Sequence, residues 1–230
     1  MRHIPKVKIC GMRCAEDIDM AVKCGADAVG FITEVPVQTP RKIDTATASR
    51  LIRHVPPFVD SVLVIMPDNA QQALELITEV RPDAIQIHND LGTGDIGTIR
   101  DRLEGSRQRI IKTFTVPADS RGNSQKLIAE IDALSETGLI DAVLLDSAKT
   151  GMSGGTGLTH DWSVSKEIVE NTDIPIILAG GLRPENVRHA VDEVRPFAVD
   201  TASGVETDGK KDPAKVCRFI KEARCIDDRF

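Results

Sequence analysis

The chain has 230 residues, of which 41% are hydrophobic, with one Trp, no Tyr and a formal charge of −6. That length and apolar content suit one barrel-sized domain over residues 1–230 with a sizeable core. The negative balance and the scarcity of aromatics argue against a nucleic-acid surface, an anionic-membrane surface and base-stacking platforms.

The first strand is predicted over Lys6–Cys10, and a helix over about Ala15–Cys24 with Gly25 as its stop signal. Strand 2 covers Asp27–Ile32; the polar loop TEVPVQTPRK follows, and Asp44 is an N-cap candidate for helix 2. Strand 3 is Asp60–Met66 and helix 3 about Asn69–Val80, where Ala70, Ala73, Leu74 and Ile77 make an apolar stripe. Strand 4 is Asp83–His88, and the Gly-rich stretch LGTGDIG predicts only a short helix 4. Strand 5 is about Arg109–Thr115, helix 5 about Ser124–Leu134 and strand 6 Asp141–Asp146. After the loop SAKTGMSGGTGLT, helix 6 starts near Asp161 and strand 7 is Ile174–Ala179. Helix 7 starts near Pro184, strand 8 is Phe197–Ala202 and helix 8 is about Pro213–Ala223; Pro at a first turn suits both helices.

Every second strand opens alike, at Asp27-Ala28-Val29, Asp83-Ala84-Ile85, Asp141-Ala142-Val143 and Phe197-Ala198-Val199, separated by 56, 58 and 56 residues. Such a period marks a repeated unit. Four units of strand, helix, strand and helix predict a (β/α)8 barrel, whose chemistry sits at the C-terminal strand ends. No apolar stretch approaches the roughly 20 residues that span a bilayer. The start MRHIPKVKIC enters a strand at once and lacks a signal-peptide core. Five irregularly placed Cys do not form a disulfide framework. The expectation is a soluble, reduced, cytoplasmic protein.

Cys10, His88 and Asp146 end strands 1, 4 and 6, and Asp200 lies late in strand 8. A closed barrel gathers such ends around one mouth, where a thiol and a carboxyl make a proton donor and acceptor pair. A lone Cys in an apolar strand is also a common small core residue, and a strand-ending Asp a common cap. Lys8 shares a strand face with Cys10, so it either enters the barrel and needs an anionic partner or snorkels outward. Gly180-Gly181 after strand 7 and Ser203-Gly204 after strand 8 are phosphate-binding candidates at the two loops where many barrels hold phosphate. The alternative is two tight turns that need glycine for backbone reasons alone. Gly154-Gly155-Thr156-Gly157 reads as a lid. Arg41, on the loop after strand 2, can grip a carboxylate bidentately or stay a solvated charge. Cys10 and Cys14 have no matching second pair, so no metal site is expected.

These residues together resemble the phosphoribosylanthranilate isomerase family. The resemblance runs through Lys8-Ile9-Cys10-Gly11, Gly30-Phe31-Ile32, Pro40-Arg41, Gln86-Ile87-His88, Leu144-Leu145-Asp146, Asp161-Trp162, Leu178-Ala179-Gly180-Gly181-Leu182 and Ser203-Gly204-Val205-Glu206. It implies a ribulose-phosphate-binding barrel that performs an Amadori rearrangement of a phosphoribosyl amine in tryptophan biosynthesis. Within it Cys10 would be the general base, Asp146 the general acid and Arg41 the holder of the anthranilate carboxylate. His88 and Asp200 would line the substrate site, and Gly180, Gly181, Ser203 and Gly204 would bind phosphate. The only implied partner is a small phosphosugar; no cofactor is needed, and a monomer or homodimer is expected. The chain departs from the family's usual pattern at Thr33, Thr39, Asn89 and His160. Related phosphosugar barrels would carry Asp or Lys where Cys10 stands. A diverged paralogue acting on another phosphoribosyl amine and a non-catalytic phosphosugar-binding barrel are the alternatives.

Overall fold

The computed structural model describes residues 4–116, 124–147 and 162–224. Eight parallel strands close into a barrel in chain order: β1 (Lys6–Cys10), β2 (Ala28–Ile32), β3 (Asp60–Ile65), β4 (Ala84–Ile87), β5 (Arg109–Val116), β6 (Ala142–Ser147), β7 (Ile176–Leu178) and β8 (Ala198–Thr201). The helices between and after them are α1 (Ala15–Lys23), α2 (Thr45–Ile52), α3 (Ala70–Val80), α4 (Thr93–Arg102), α5 (Ser124–Ser135), α6 (Trp162–Asn171), α7 (Val187–Val194) and α8 (Pro213–Ala223). The chain is a (β/α)8 barrel. No helix among the described residues is long and apolar enough to cross a membrane.

The alternation of side chains along each strand builds two cores. Val7, Ile9, Val29, Ile85, Val143 and Val199 face outward against the buried stripes of the helices. Val62, Ala84, Ile111, Ala142, Leu144 and Ile177 fill the barrel interior. Lys8, Gln86 and Asp200 share that inward face nearer the C-terminal end, and all three are buried.

The sequence repeat has a structural meaning. At the N-terminal ends of β2, β4 and β6, the repeated carboxylate accepts a hydrogen bond from the backbone of the preceding odd strand. Asp27 takes Val7 N at 2.8 Å, Asp83 takes Ser61 N at 2.8 Å and Asp141 takes Ile110 N at 2.7 Å. The fourth repeat has Phe197 in this position, and there only its carbonyl accepts, from Lys6 N at 3.0 Å. Helix starts are also chemically marked. Asp44 accepts from Thr47 N, Asn69 from Gln72 N, and Asp212 from Ala214 N and Lys215 N ahead of Pro213.

Several expectations are corrected. Helix α4 runs ten residues in spite of Gly94 and Gly97, because Ile96 and Ile99 anchor it in the core. Helix α7 starts at Val187, not Pro184; Pro184 lies in a turn that Asn186 closes by accepting from Arg183 N at 2.8 Å. A short hairpin, β9 (Glu206–Thr207) with β10 (Lys210–Lys211), follows β8 and was not anticipated. Cys24 and Cys217 form a disulfide across 193 residues, against the expectation of a fully reduced chain. Barrel closure makes α1 and α8 neighbours, a proximity that spacing along the chain does not reveal. Arg224 fastens the same seam through Gly25 O and Asp27.

Candidate active site

A cavity of about 490 Å³ opens at the C-terminal ends of the strands, and Cys10, Arg41, His88, Asp146 and Asp200 all line it. Gly180, Gly181 and Ser203 line it as well, whereas Gly204 does not. One wall is apolar, formed by Ile32, Val35, Val37 and Met66. Thr39 borders the cavity and takes Arg41 N on its hydroxyl at 3.3 Å. Thr33 is buried away from it, and Asn89 is tied to Pro67 O. The lid expectation at 154–157, and His160 and Asp161, fall outside the described residues.

Each polar group arrives by strand alternation. Lys8 and Cys10 point inward from β1, and the β1–β8 register sets Lys8 opposite Asp200. Lys8 therefore takes the inward of its two readings. Its ammonium donates to Asp200 Oδ1 and to Gln86 Oε1, each at 3.0 Å. Gly30, next to Cys10 on β2, makes room for the thiol: a Cβ there would lie 2.7 Å from Sγ. Burial pushes the Cys10 thiol above its ordinary range, while Lys8 pulls in the opposite direction. Burial would depress the Lys8 ammonium, but Asp200 and Cys10 outweigh it and hold it above its usual value.

Asp146 and His88 face each other across the mouth, with Oδ2 and Nε2 3.6 Å apart. Burial, reinforced by the Asp200 charge, raises the Asp146 carboxyl to about 6. Burial and the Lys8 charge lower His88 to about 4, so the imidazole is neutral at pH 7 and the contact is not an ion pair. Lys8 also orients the neighbour of the His88 ring. An ammonium only donates, so Gln86 turns its oxygen to Lys8 and its amide nitrogen toward His88 Nδ1, 3.3 Å away. The Thr113 hydroxyl stands 3.2 Å from the same Nδ1; in the tautomer in which Nδ1 accepts from Gln86, Nε2 carries the proton facing Asp146. Gln86 was missed as a site residue, although it shares His88's strand face two residues earlier.

The glycine turns are needed for backbone reasons and border the cavity at once. Gly180 and Gly181 have φ of 81° and 67°, and a Cβ on Gly180 would run into Ser147. A Cβ on Gly204 would collide with the Leu182 carbonyl. Thr201 donates to that carbonyl at 2.7 Å, and Asn186 donates to Gly181 O at 3.1 Å, so the two turns are fixed to each other. Arg41 is half-buried and does not stand free: Glu206 accepts two hydrogen bonds from one edge of its guanidinium. Glu206 and its neighbour Lys211 were also missed, since nothing local in the sequence links them to Arg41, 165 residues earlier in the case of Glu206.

A family model described as N-(5'phosphoribosyl)anthranilate (PRA) isomerase matches residues 7–222. A Methanosarcina acetivorans protein named N-(5'-phosphoribosyl)anthranilate isomerase is 52% identical over 225 residues, covering 96% of this chain and 93% of its own. The crystal structure of phosphoribosyl anthranilate isomerase from Thermotoga maritima has a TM-score of 0.80 at 33% identity, covering 97% of this chain and all of its own. A further isomerase structure, in complex with reduced 1-(o-carboxyphenylamino)-1-deoxyribulose 5-phosphate, has a TM-score of 0.78 at 32% identity, with 97% and 100% covered.

Proposed function

This chain belongs to the N-(5'-phosphoribosyl)anthranilate isomerase family, and on that premise we propose how its own residues perform the isomerisation in tryptophan biosynthesis. The substrate is N-(5-phosphoribosyl)anthranilate and the product 1-(2-carboxyphenylamino)-1-deoxyribulose 5-phosphate. Asp146 is the general acid. It gives its proton to the ribose ring oxygen as the C1′–O bond breaks, and the nitrogen lone pair forms an iminium at C1′. Cys10, as thiolate, is the general base and removes the C2′ proton. The C2′–H electrons become the C1′–C2′ double bond and the nitrogen recovers its lone pair. Protonation at C1′ and loss of the C2′ hydroxyl proton then give the ketone. The iminium is the electron sink, so the scheme uses side chains alone.

The environment of each group fits its role. A carboxyl raised to about 6 retains a proton for part of the population near neutrality. The Nε2–H of neutral His88 faces the carboxylate left after transfer. Lys8 favours the Cys10 thiolate against its burial. Arg41 meets the anthranilate carboxylate beside the apolar wall of Ile32, Val37 and Met66, which receives the ring. Asp200 lines the sugar site, and the Gly180, Gly181, Ser203 and Gly204 turns hold the phosphate at the far end.

The observation that carries the reading is the convergence of Cys10 and Asp146 on one cavity from strands β1 and β6. A fluorescence assay with chemically generated phosphoribosylanthranilate, together with rescue of a tryptophan auxotroph, tests it. Turnover by the wild type, lowered by orders of magnitude in Cys10→Ser and in Asp146→Asn, is expected. Binding without turnover by the wild type would overturn it in favour of a phosphosugar-binding barrel.

A further inference from the structure

We propose that Glu206 is a positioning residue that holds Arg41 side-on, leaving the outer edge of its guanidinium for the substrate's carboxylate, while Lys211 restores the positive charge that Glu206 removes. The inference deepens the role given to Arg41 above and rests on it.

The geometry is specific. Arg41 Nε donates to Glu206 Oε1 at 2.9 Å and Nη2 donates to Oε2 at 2.7 Å. A guanidinium has five N–H groups in a rigid plane. Glu206 takes the edge formed by Nε and Nη2, so one hydrogen of Nη1 and one of Nη2 lie side by side on the outer edge, and the second Nη1 hydrogen points back toward Cδ. That edge offers two parallel donors, the arrangement a second carboxylate needs for a bidentate contact. Free rotation of Arg41 would present this edge only part of the time, and Glu206 removes the rotation.

Two further contacts fix the platform. A Cβ on Gly11 would lie 2.8 Å from Arg41 Cδ, so the arginine stem rests on the backbone that directly follows Cys10. Arg13 donates to Pro40 O at 3.2 Å and to Gly209 O at 2.7 Å, tying the loop that carries Arg41 to the hairpin that carries Glu206. The orientation of Arg41 is thereby referenced to the proposed base.

The charges also need accounting. Arg41 and Glu206 alone would carry no net charge. Lys211, its side chain 1% exposed, donates to Glu206 Oε1 at 2.7 Å and to Ala202 O at 2.8 Å. The trio thus carries one net positive charge. Burial pushes the Glu206 carboxyl up, but its hydrogen bonds from Arg41 and Lys211 prevail and keep it below its ordinary value. Ala202 belongs to the turn after β8, so Lys211 also links the two ends of the cavity.

Calorimetric titration with two ligands tests the inference: reduced 1-(o-carboxyphenylamino)-1-deoxyribulose 5-phosphate and the same molecule without its ring carboxyl. Glu206→Gln keeps the size but loses the second acceptor and the charge; Glu206→Asp keeps the charge but withdraws it. In both variants Kd for the carboxylated ligand is expected to rise about tenfold, with Kd for the decarboxylated ligand within twofold of wild type. Unchanged decarboxylated binding certifies the fold. Lys211→Met is expected to weaken only the carboxylated ligand as well. Equal losses on both ligands, no loss, or tighter binding by Glu206→Gln would overturn the inference. If Arg41→Ala fails to discriminate the ligands, the Arg41 assignment itself falls; if it discriminates and the Glu206 variants do not, only the positioning role falls.

Discussion

Lys8 Nζ and Asp200 Oδ1 lie 3.0 Å apart inside the barrel, two residues below Cys10 on the same strand face, with side chains 4% and 10% exposed. Breaking such a pair leaves a buried charge without its partner, at a cost of about 3–5 kcal/mol. Asp200→Asn is therefore expected to lose about that much stability in urea denaturation. Lys8→Met combined with Asp200→Leu should recover most of it, because neither charge remains. A loss below about 1 kcal/mol for Asp200→Asn would contradict this account of the pair.

The active form requires Asp146 protonated and Cys10 ionised. Asp146 holds its proton below about 6, and Cys10 loses its own only above the ordinary thiol range. Raising the pH toward 6 increases the thiolate without losing the acid, so kcat/KM climbs. Between the two values the gain in thiolate cancels the loss of acid, giving a plateau, and above the thiol value the rate falls. A pH–rate profile with a maximum near 6 and a steep decline by pH 8 would refute the pairing. Cys10→Ser and Asp146→Asn are each expected to lower kcat by about 10²–10⁴-fold with the far-UV circular dichroism retained.

Asp146 also weakens the fold it serves. Its folded-state value is raised to about 6 from 3.8. The folded state thus binds the proton more tightly than the unfolded one, and stability falls as pH rises through that window. The full cost, present above about pH 6, is at most about 3 kcal/mol. Asp146→Asn is expected to unfold like the wild type near pH 4 and to be more stable by about 2–3 kcal/mol at pH 8. Equal stabilities at pH 8 would show that the carboxylate is better solvated than its burial implies.

The Cys24–Cys217 bridge closes a loop of 193 residues. Chain-entropy reasoning gives such a cross-link about 5 kcal/mol as an upper value. Adding reductant, or Cys217→Ser, is expected to lower Tm by on the order of 10 °C. kcat should be unchanged, since neither sulfur borders the cavity. A Tm shift under about 2 °C would show that packing of α1 against α8 holds the seam unaided.

The barrel was legible because its signals are local. The Asp-Ala-Val opening of alternate strands, the shared face of Lys8 and Cys10 on β1 and the cap at Asp44 are each contained within a few residues. Cys10, His88, Asp146 and Asp200 were legible for the same reason, as strand-end residues in a fold that gathers strand ends. Helix α4 was underestimated because glycine propensity acts locally, whereas Ile96 and Ile99 gain their burial from the rest of the molecule.

The sequence alone determined the eightfold alternation of strand and helix and which residues end the strands, since these depend on backbone geometry and local pattern; whether Lys8 turns inward it left open. Only the tertiary structure decided the partners: Asp200 and Gln86 for Lys8, Glu206 for Arg41, Cys217 for Cys24. Those pairings depend on barrel closure, which brings together groups separated by 78 to 193 residues. Coulombic and hydrogen-bonding energies depend on distance in space, and closure sets that distance without leaving a mark in the local pattern.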